Sequence, residues 1–258
     1  MDLDLKDKVV LITGGASGIG AAIVRGVIGE SGIAVIADRC PESANHLVEE
    51  LKDARLHIVA GDLTAVENCK QAVDQTLARY GRLDALVNNA GVNDRVGLER
   101  GNPAEYVASL QRNLVHYYNM AHYALPALKE SGGSIVNIAS KTAVTGQGDT
   151  SGYASAKGGV LALTREWAVE LAPYGIRSNA VVPAEVMTPL YRKWLQTFPN
   201  PDEKLADIIS RIPLGKRMTT PDEIASMVLF LISGRASHIT GQHLYVDGGY
   251  VHLDRALP

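Results

Sequence analysis

The sequence predicts an α/β protein, a single doubly wound parallel sheet with helices on both faces. Three observations carry this. Short apolar runs alternate with longer stretches whose apolar residues recur at helical spacing. A glycine-rich turn, Thr13-Gly-Gly-Ala-Ser-Gly-Ile-Gly20, joins the first apolar run to the first helical stretch. An acid, Asp38, closes the second apolar run.

The elements follow in order. Lys8-Val-Val-Leu-Ile-Thr13 is a continuous apolar run, as expected of a strand buried on both faces. A helix runs from the glycine turn to about Glu30, and Gly32 to Asp38 is the second strand. Pro41 opens a helix to about Ala54. Leu56 to Ala60 is the third strand, ending in Gly61-Asp62-Leu63. A helix from Thr64 to Tyr80 leads to the strand Ala85 to Asn88. Pro103 starts a long helix to about Glu130, and Ser134 to Ala139 is the fifth strand. The helix containing Tyr153 precedes the strand Ile176 to Val182. A helix from Pro221 to Ser233 and a strand from Gln242 to Asp247 close the series. No linker, repeat or low-complexity tract interrupts it, so residues 1–258 read as one domain. The exception is about 187–217, rich in proline, aromatic and charged residues. A segment of this length between core elements reads as a substrate lid.

The bulk properties narrow the function. The chain has 258 residues, 46% hydrophobic and 21% charged, the balance of an ordinary globular domain. Its net charge of −3 comes with no basic block, which argues against nucleic acid and anionic membrane as partners. Cys40 and Cys69 match no metal-ligand spacing, so no metal is expected. Both thiols read as packing residues in a reducing, cytoplasmic compartment. No secretory signal is evident at the N-terminus, and the apolar runs are too short to span a bilayer.

The glycine turn points to a dinucleotide. Gly14, Gly18 and Gly20, with Ser17 and Ile19 between them, sit where a strand gives way to a helix. Glycine there lets backbone approach a pyrophosphate lying on the helix N-terminus, the Rossmann-type arrangement. Asp38 can accept hydrogen bonds from the adenosine ribose hydroxyls and repels a 2′-phosphate. Arg39 beside it could instead pair with such a phosphate. NAD is favoured and NADP stays open.

A second pattern concerns proton transfer. Tyr153 and Lys157 stand four positions apart at the start of a helical stretch, on one face. A free tyrosine, with a pKa of about 10, is a poor base at neutral pH. An ammonium close by favours the phenolate, and a phenol tuned in this way can take a proton from an alcohol.

Together these residues resemble the short-chain dehydrogenase/reductase family over essentially the whole chain. The matching pieces are the glycine turn, Asp62-Leu63, Asn88-Asn-Ala-Gly91, Asn113, Ser140, Tyr153 with Lys157, and Pro183 with Thr188. The resemblance implies roles. Asp62 and Leu63 would meet the adenine, and Asn89, Ala90 and Gly91 the adenine ribose, while Asn88 is structural. Asn113 would hold a water that relays protons to the lysine. Ser140 would hydrogen-bond the reacting oxygen, Tyr153 would be the acid/base, and Lys157 would bind the nicotinamide ribose and lower the tyrosine pKa. Pro183, Val186 and Thr188 would frame the carboxamide; Ala184 replaces the usual glycine.

The substrate reading rests on polar positions around this centre. Asn93, Lys141, Gln147, Glu185, Arg192 and Trp194 join Ser140 and Tyr153 as candidates. A hydroxyl-rich ligand needs amide and charged partners for its OH groups, since buried polar groups must be paired. The segment Pro183 to Tyr191 and the tail Gly248 to Arg255 are similar to bacterial sugar dehydrogenases of the family, notably the L-fucose dehydrogenase group. That similarity implies oxidation of the anomeric hydroxyl of L-fucose or L-galactose to the aldonolactone, in a homotetramer. Within the family the alternative is a 3-oxoacyl or other ketone/alcohol reductase, and outside catalysis a nicotinamide-binding regulator. The neutral Ala16-Ser17 and acidic Asp38 argue against an NADPH-preferring 3-oxoacyl reductase, and the retained Tyr153 and Lys157 argue against a silent protein.

Overall fold

The computed structural model describes residues 2–253. Seven strands form one parallel sheet in the order β3-β2-β1-β4-β5-β6-β7. They are β1 (Val9–Thr13), β2 (Ile33–Asp38), β3 (Leu56–Ala60), β4 (Ala85–Asn88), β5 (Ser134–Ile138), β6 (Arg177–Pro183) and β7 (His243–Val246). In register, Thr13 lies beside Ala37 and Val10 beside Ala85. The strand order reverses between β1 and β4, and in such a sheet the crevice at that switch point receives the ligand.

Sheet and helices interlock because β1 is apolar on both sides. Val10 and Ile12 enter the core shared with α1 (Gly18–Gly29) and α9 (Pro221–Ile232). Val9 and Leu11 enter the opposite core, with α3 (Val66–Tyr80), α5 (His116–Ser131) and α6 (Ser151–Leu171). Each such fully buried side chain contributes about 1.5–3 kcal/mol. The remaining helices are α2 (Asn45–Leu51), α4 (Pro103–Leu110), α7 (Pro189–Leu195) and α8 (Pro201–Ser210).

Several boundaries differ from the sequence reading for local reasons. The stretch opened by Pro41 begins as a 3-10 turn, Pro41–Ala44, and α2 stops at Leu51, where Lys52 adopts a left-handed conformation. The helix expected from Thr64 starts at Val66, because Asp62 Oδ1 takes both the Thr64 N–H (2.9 Å) and its hydroxyl (2.8 Å). The single long helix expected from Pro103 is interrupted by a π-helical turn, Gln111–Val115. Asn113 sits in that turn with its amide committed locally. Nδ2 donates to the Ser109 carbonyl at 3.0 Å, and Oδ1 accepts the Val92 N–H at 2.7 Å. Such a side chain competes with the helix backbone, and π turns collect at functional sites.

The segment 187–217 contains α7 and α8, which the sequence reading did not separate. Both have legible starts, each with proline at the first position. Thr188 Oγ1 caps α7 by accepting the Tyr191 N–H (3.2 Å), and Asn200 caps α8 at the Glu203 N–H. The segment rises from a pinned base, since the Thr219 N–H donates to the Glu185 carbonyl at 3.0 Å. The tail folds back at Asp247, whose carboxylate accepts the N–H groups of Gly249 (2.8 Å) and Val251 (2.9 Å). Asp254 and Arg255, part of the tail on which the sugar-dehydrogenase similarity drew, lie outside the described residues.

Candidate active site

The carboxyl ends of β1, β2, β4, β5 and β6 open into a cleft of about 480 Å³. Its far end is built by the glycine turn. Gly14 has φ +64°, and a Cβ there would stand 2.9 Å from Ala90 Cα. Gly18, at φ +55°, leaves room for Thr188, 3.3 Å from where its Cβ would be. Gly20 does not line the cleft. A Cβ on it would collide with the Gly14 carbonyl and Asn89 Nδ2, so its bareness lets the helix close on the turn.

The turn is clamped to the end of β4. Thr13 Oγ1 accepts the N–H groups of Asn89 (2.9 Å) and Ala90 (3.0 Å). Asn89 Nδ2 donates to the carbonyls of Thr13 (2.9 Å) and Gly14 (3.0 Å). Asn89 therefore presents its backbone to the cleft and uses its amide as a structural tie. Asn88 is wholly buried and donates to Asn137 Oδ1 at 3.0 Å, as its structural assignment expected. At the second strand Asp38 accepts the Ala16 N–H through Oδ2 (3.2 Å) and the Cys40 N–H through Oδ1 (3.1 Å), with Arg39 beside it on the cleft wall. Asp62 and Leu63 line the same end.

Ser140, Tyr153 and Lys157 meet at the other end of the cleft. Burial pushes the Tyr153 phenol up to about 12; its hydrogen bond with Ser140 pulls it back, and the Asp94 carboxylate raises it further. Burial brings the Lys157 ammonium down to about 7. Lys157 is not among the groups that move the Tyr153 phenol in this arrangement. Nζ is 5.7 Å from the Tyr153 ring centroid and donates elsewhere, to the Ile138 carbonyl (2.7 Å) and Tyr117 Oη (2.8 Å). Desolvation of the buried phenol is the largest influence on it. Asn113 is buried behind Gly91, its Oδ1 3.0 Å from where a Cβ on that glycine would sit.

Pro183, Val186 and Thr188 line the cleft beside this centre, as does Asn93. The other proposed substrate residues stand apart from its wall. Lys141, only 7% exposed, is ion-paired with Glu185 Oε1, and Glu185 Oε2 accepts the Tyr191 hydroxyl at 2.7 Å. Trp194 packs edge-on against Tyr191 (5.0 Å) and Phe198 (4.9 Å), with the Arg95 guanidinium over its ring. Gln147 and Arg192 are exposed and are not brought to the cleft, because both sit on outward-turned loop or helix positions.

A family model described as enoyl-(acyl carrier protein) reductase matches residues 14–251. The 3-oxoacyl-[acyl-carrier-protein] reductase FabG of Thermotoga maritima is 36% identical over 250 residues, covering 96% of this chain and 99% of that protein. The L-fucose dehydrogenase of Bos taurus is 35% identical over 243 residues, covering 94% and 88%. Among solved structures, that of Cj0485 dehydrogenase superposes with a TM-score of 0.96 at 48% identity, covering 100% of this chain and 99% of the other. The chain belongs to the short-chain dehydrogenase/reductase family.

As a member of that family it is an NAD(P)-dependent oxidoreductase acting on a small molecule. The cleft suits such a cofactor, with bare glycine backbone at one end, a carboxylate at the second strand and Lys157 at the other end. A dinucleotide held there would supply the hydride acceptor. Tyr191, read from the sequence as opening the lid, lines the wall, and among the wall positions that sequence reasoning missed are Arg112 and His116. Arg112 is ion-paired with Asp94 (2.7 Å), which also accepts the Ser109 hydroxyl (2.9 Å). His116 bonds the Arg112 carbonyl through Nε2 (3.1 Å), and burial drops its pKa to about 4. For His116 the available signal was its helical spacing, three positions on from Asn113. Among the described residues no helix is long and apolar enough to cross a membrane.

Proposed function

We propose that this short-chain dehydrogenase oxidises a sugar, taking the anomeric hydroxyl of L-fucose or L-galactose to the aldonolactone with NAD. The observation that carries this reading is the polar wall at the Ser140 end of the cleft, where Asn93 and Tyr191 join Ser140 and Tyr153, with the Tyr191 hydroxyl held by Glu185 Oε2. An acyl chain or steroid gains nothing from such a wall, whereas a polyol can exchange hydroxyls for these partners. Similarity to an L-fucose dehydrogenase supports the same class.

In this reading Tyr153 would take the proton of the substrate hydroxyl, the dinucleotide supplying the acceptor for the hydride from the same carbon. Ser140 holds the oxygen while its charge changes, and Lys157 and Asn113 pass the proton outward. The glycine turn with Ser17, Gly18 and Ile19 holds the pyrophosphate, Asp38 takes the ribose hydroxyls, and Val186 and Thr188 hold the carboxamide. Residues 187–217 act as a lid that excludes water during transfer. The same reading assigns a single domain and a cytoplasmic homotetramer, which light scattering and localisation of a tagged chain test.

The similarity to FabG keeps a 3-oxoacyl reductase as the second reading. One assay separates the two. Reduced-nicotinamide absorbance is followed with NAD and NADP against L- and D-aldoses, polyols, hydroxysteroids and a 3-hydroxyacyl thioester. Turnover on L-fucose or L-galactose is expected. Turnover on the thioester alone overturns the sugar reading and leaves the family chemistry standing.

A further inference from the structure

Lys157 is buried at 2% exposure, so its ammonium must place its three protons inside the protein or on a ligand. Two have partners. Nζ lies 2.7 Å from the Ile138 carbonyl and 2.8 Å from Tyr117 Oη. Tyr117, wholly buried on α5, donates its own proton to the same carbonyl at 3.0 Å. Its phenol oxygen therefore offers a lone pair to Nζ, and the three atoms close a triangle. The Tyr117 ring lies under the charge, 4.8 Å from Nζ.

The rest of the pocket gives the ammonium little else. None of the ion pairs among the described residues includes Lys157. Packing does not require a hydroxyl at position 117 either, because phenylalanine would fill the ring's space in this core. A buried hydroxyl is costly unless paired, and its pairs here are Lys157 and Ile138.

We propose that Tyr117 is a positioning residue for Lys157: its phenol oxygen keeps the buried lysine charged and leaves one N–H turned to the cleft, where Lys157 lines the wall. Burial raises the pKa of Tyr117 itself well above the ordinary phenol value, so it stays a neutral acceptor. The titratable groups facing Lys157 are Tyr153 on its own helix and His116 and Tyr117 on α5, with Asp94 acting on Tyr153 from the loop after β4. His116 is neutral near pH 7, so it neither supplies nor opposes the charge there. The inference holds whichever alcohol the enzyme oxidises.

The test is the titration of Lys157 in Tyr117→Phe, read from its Cε resonance in protein labelled with [ε-13C]lysine and assigned with Lys157→Met. Removing an acceptor for the charged form lowers the midpoint by about one pH unit. In the same variant the affinity for NADH, read by fluorescence at pH 8, weakens several-fold. A folded variant with an unchanged midpoint overturns the proposal. If Tyr117→Phe does not fold, Tyr153→Phe labelled with [ζ-13C]tyrosine decides, because Tyr117 is then the one tyrosine ring left beside Nζ among the described residues. One Cζ resonance should move through the lysine midpoint, and none moving overturns it.

Discussion

Ser140 Oγ accepts twice from Thr142, from its N–H at 3.3 Å and from its Oγ1 at 3.1 Å. With both acceptor sites engaged, the serine has its own proton left to give. Thr142 thereby orients Ser140 as a donor toward Tyr153 and, on the proposed function, toward the reacting oxygen. Thr142→Val keeps the shape and removes one of the two bonds. A drop in kcat of roughly five- to tenfold is expected, with Thr142→Ser close to wild type. Initial rates of the two variants check this, and equal rates would leave Ser140 oriented by something else.

Tyr153→Phe should lower kcat by about 10²–10⁴-fold, the usual worth of a positioned acid/base. Dinucleotide affinity should barely change, because Lys157 is held by Tyr117 and Ile138 and not by Tyr153. Steady-state rates and NADH fluorescence titration separate the two effects. A rate near wild type removes Tyr153 from the chemistry.

Asp38 both faces the cleft and ties the glycine turn through the Ala16 N–H. Asp38→Ala should narrow any preference for NAD over NADP by roughly tenfold, since the carboxylate that repels a 2′-phosphate is gone. The ratio of kcat/KM for the two cofactors measures it. An unchanged ratio means that Asp38 does not meet the ribose.

His116 should make the fold acid-sensitive. Its folded pKa, about 4, lies below the ordinary 6.5, so between these values the unfolded chain binds more protons. Stability is therefore present above pH 6.5 and is lost as pH falls through this window, by on the order of 3 kcal/mol at most. Asp53 and Glu223, held at about 2 by Arg55 and Arg217, lose their contribution only at lower pH. Urea unfolding of His116→Gln between pH 7 and pH 4.5 should show a flatter dependence than wild type. Parallel curves would place the acid sensitivity elsewhere.

The strands were legible because β1, β2, β4 and β5 are buried on both faces and so carry unbroken apolar runs. The glycine turn and the Tyr153–Lys157 spacing were legible because each is a local constraint, a tight turn in one case and a single helix face in the other. The π turn at Asn113 was not, because it depends on Val92, a residue distant in the chain whose N–H donates to the asparagine oxygen. Nor was the pairing of Lys141 with Glu185, which joins the end of β5 to the end of β6.

The amino-acid order alone thus determined the alternating architecture, the glycine turn after β1 and the helix face that Tyr153 and Lys157 share. Only the tertiary structure decided what each charged side chain does there. Lys157 turns from Tyr153 to Tyr117 and Ile138, Asn89 ties a turn, and Lys141 is neutralised by Glu185. The reason is physical. Periodicity reports which residues leave water, whereas the partner of a buried charge is set by whichever acceptor the folded chain brings within about 3 Å.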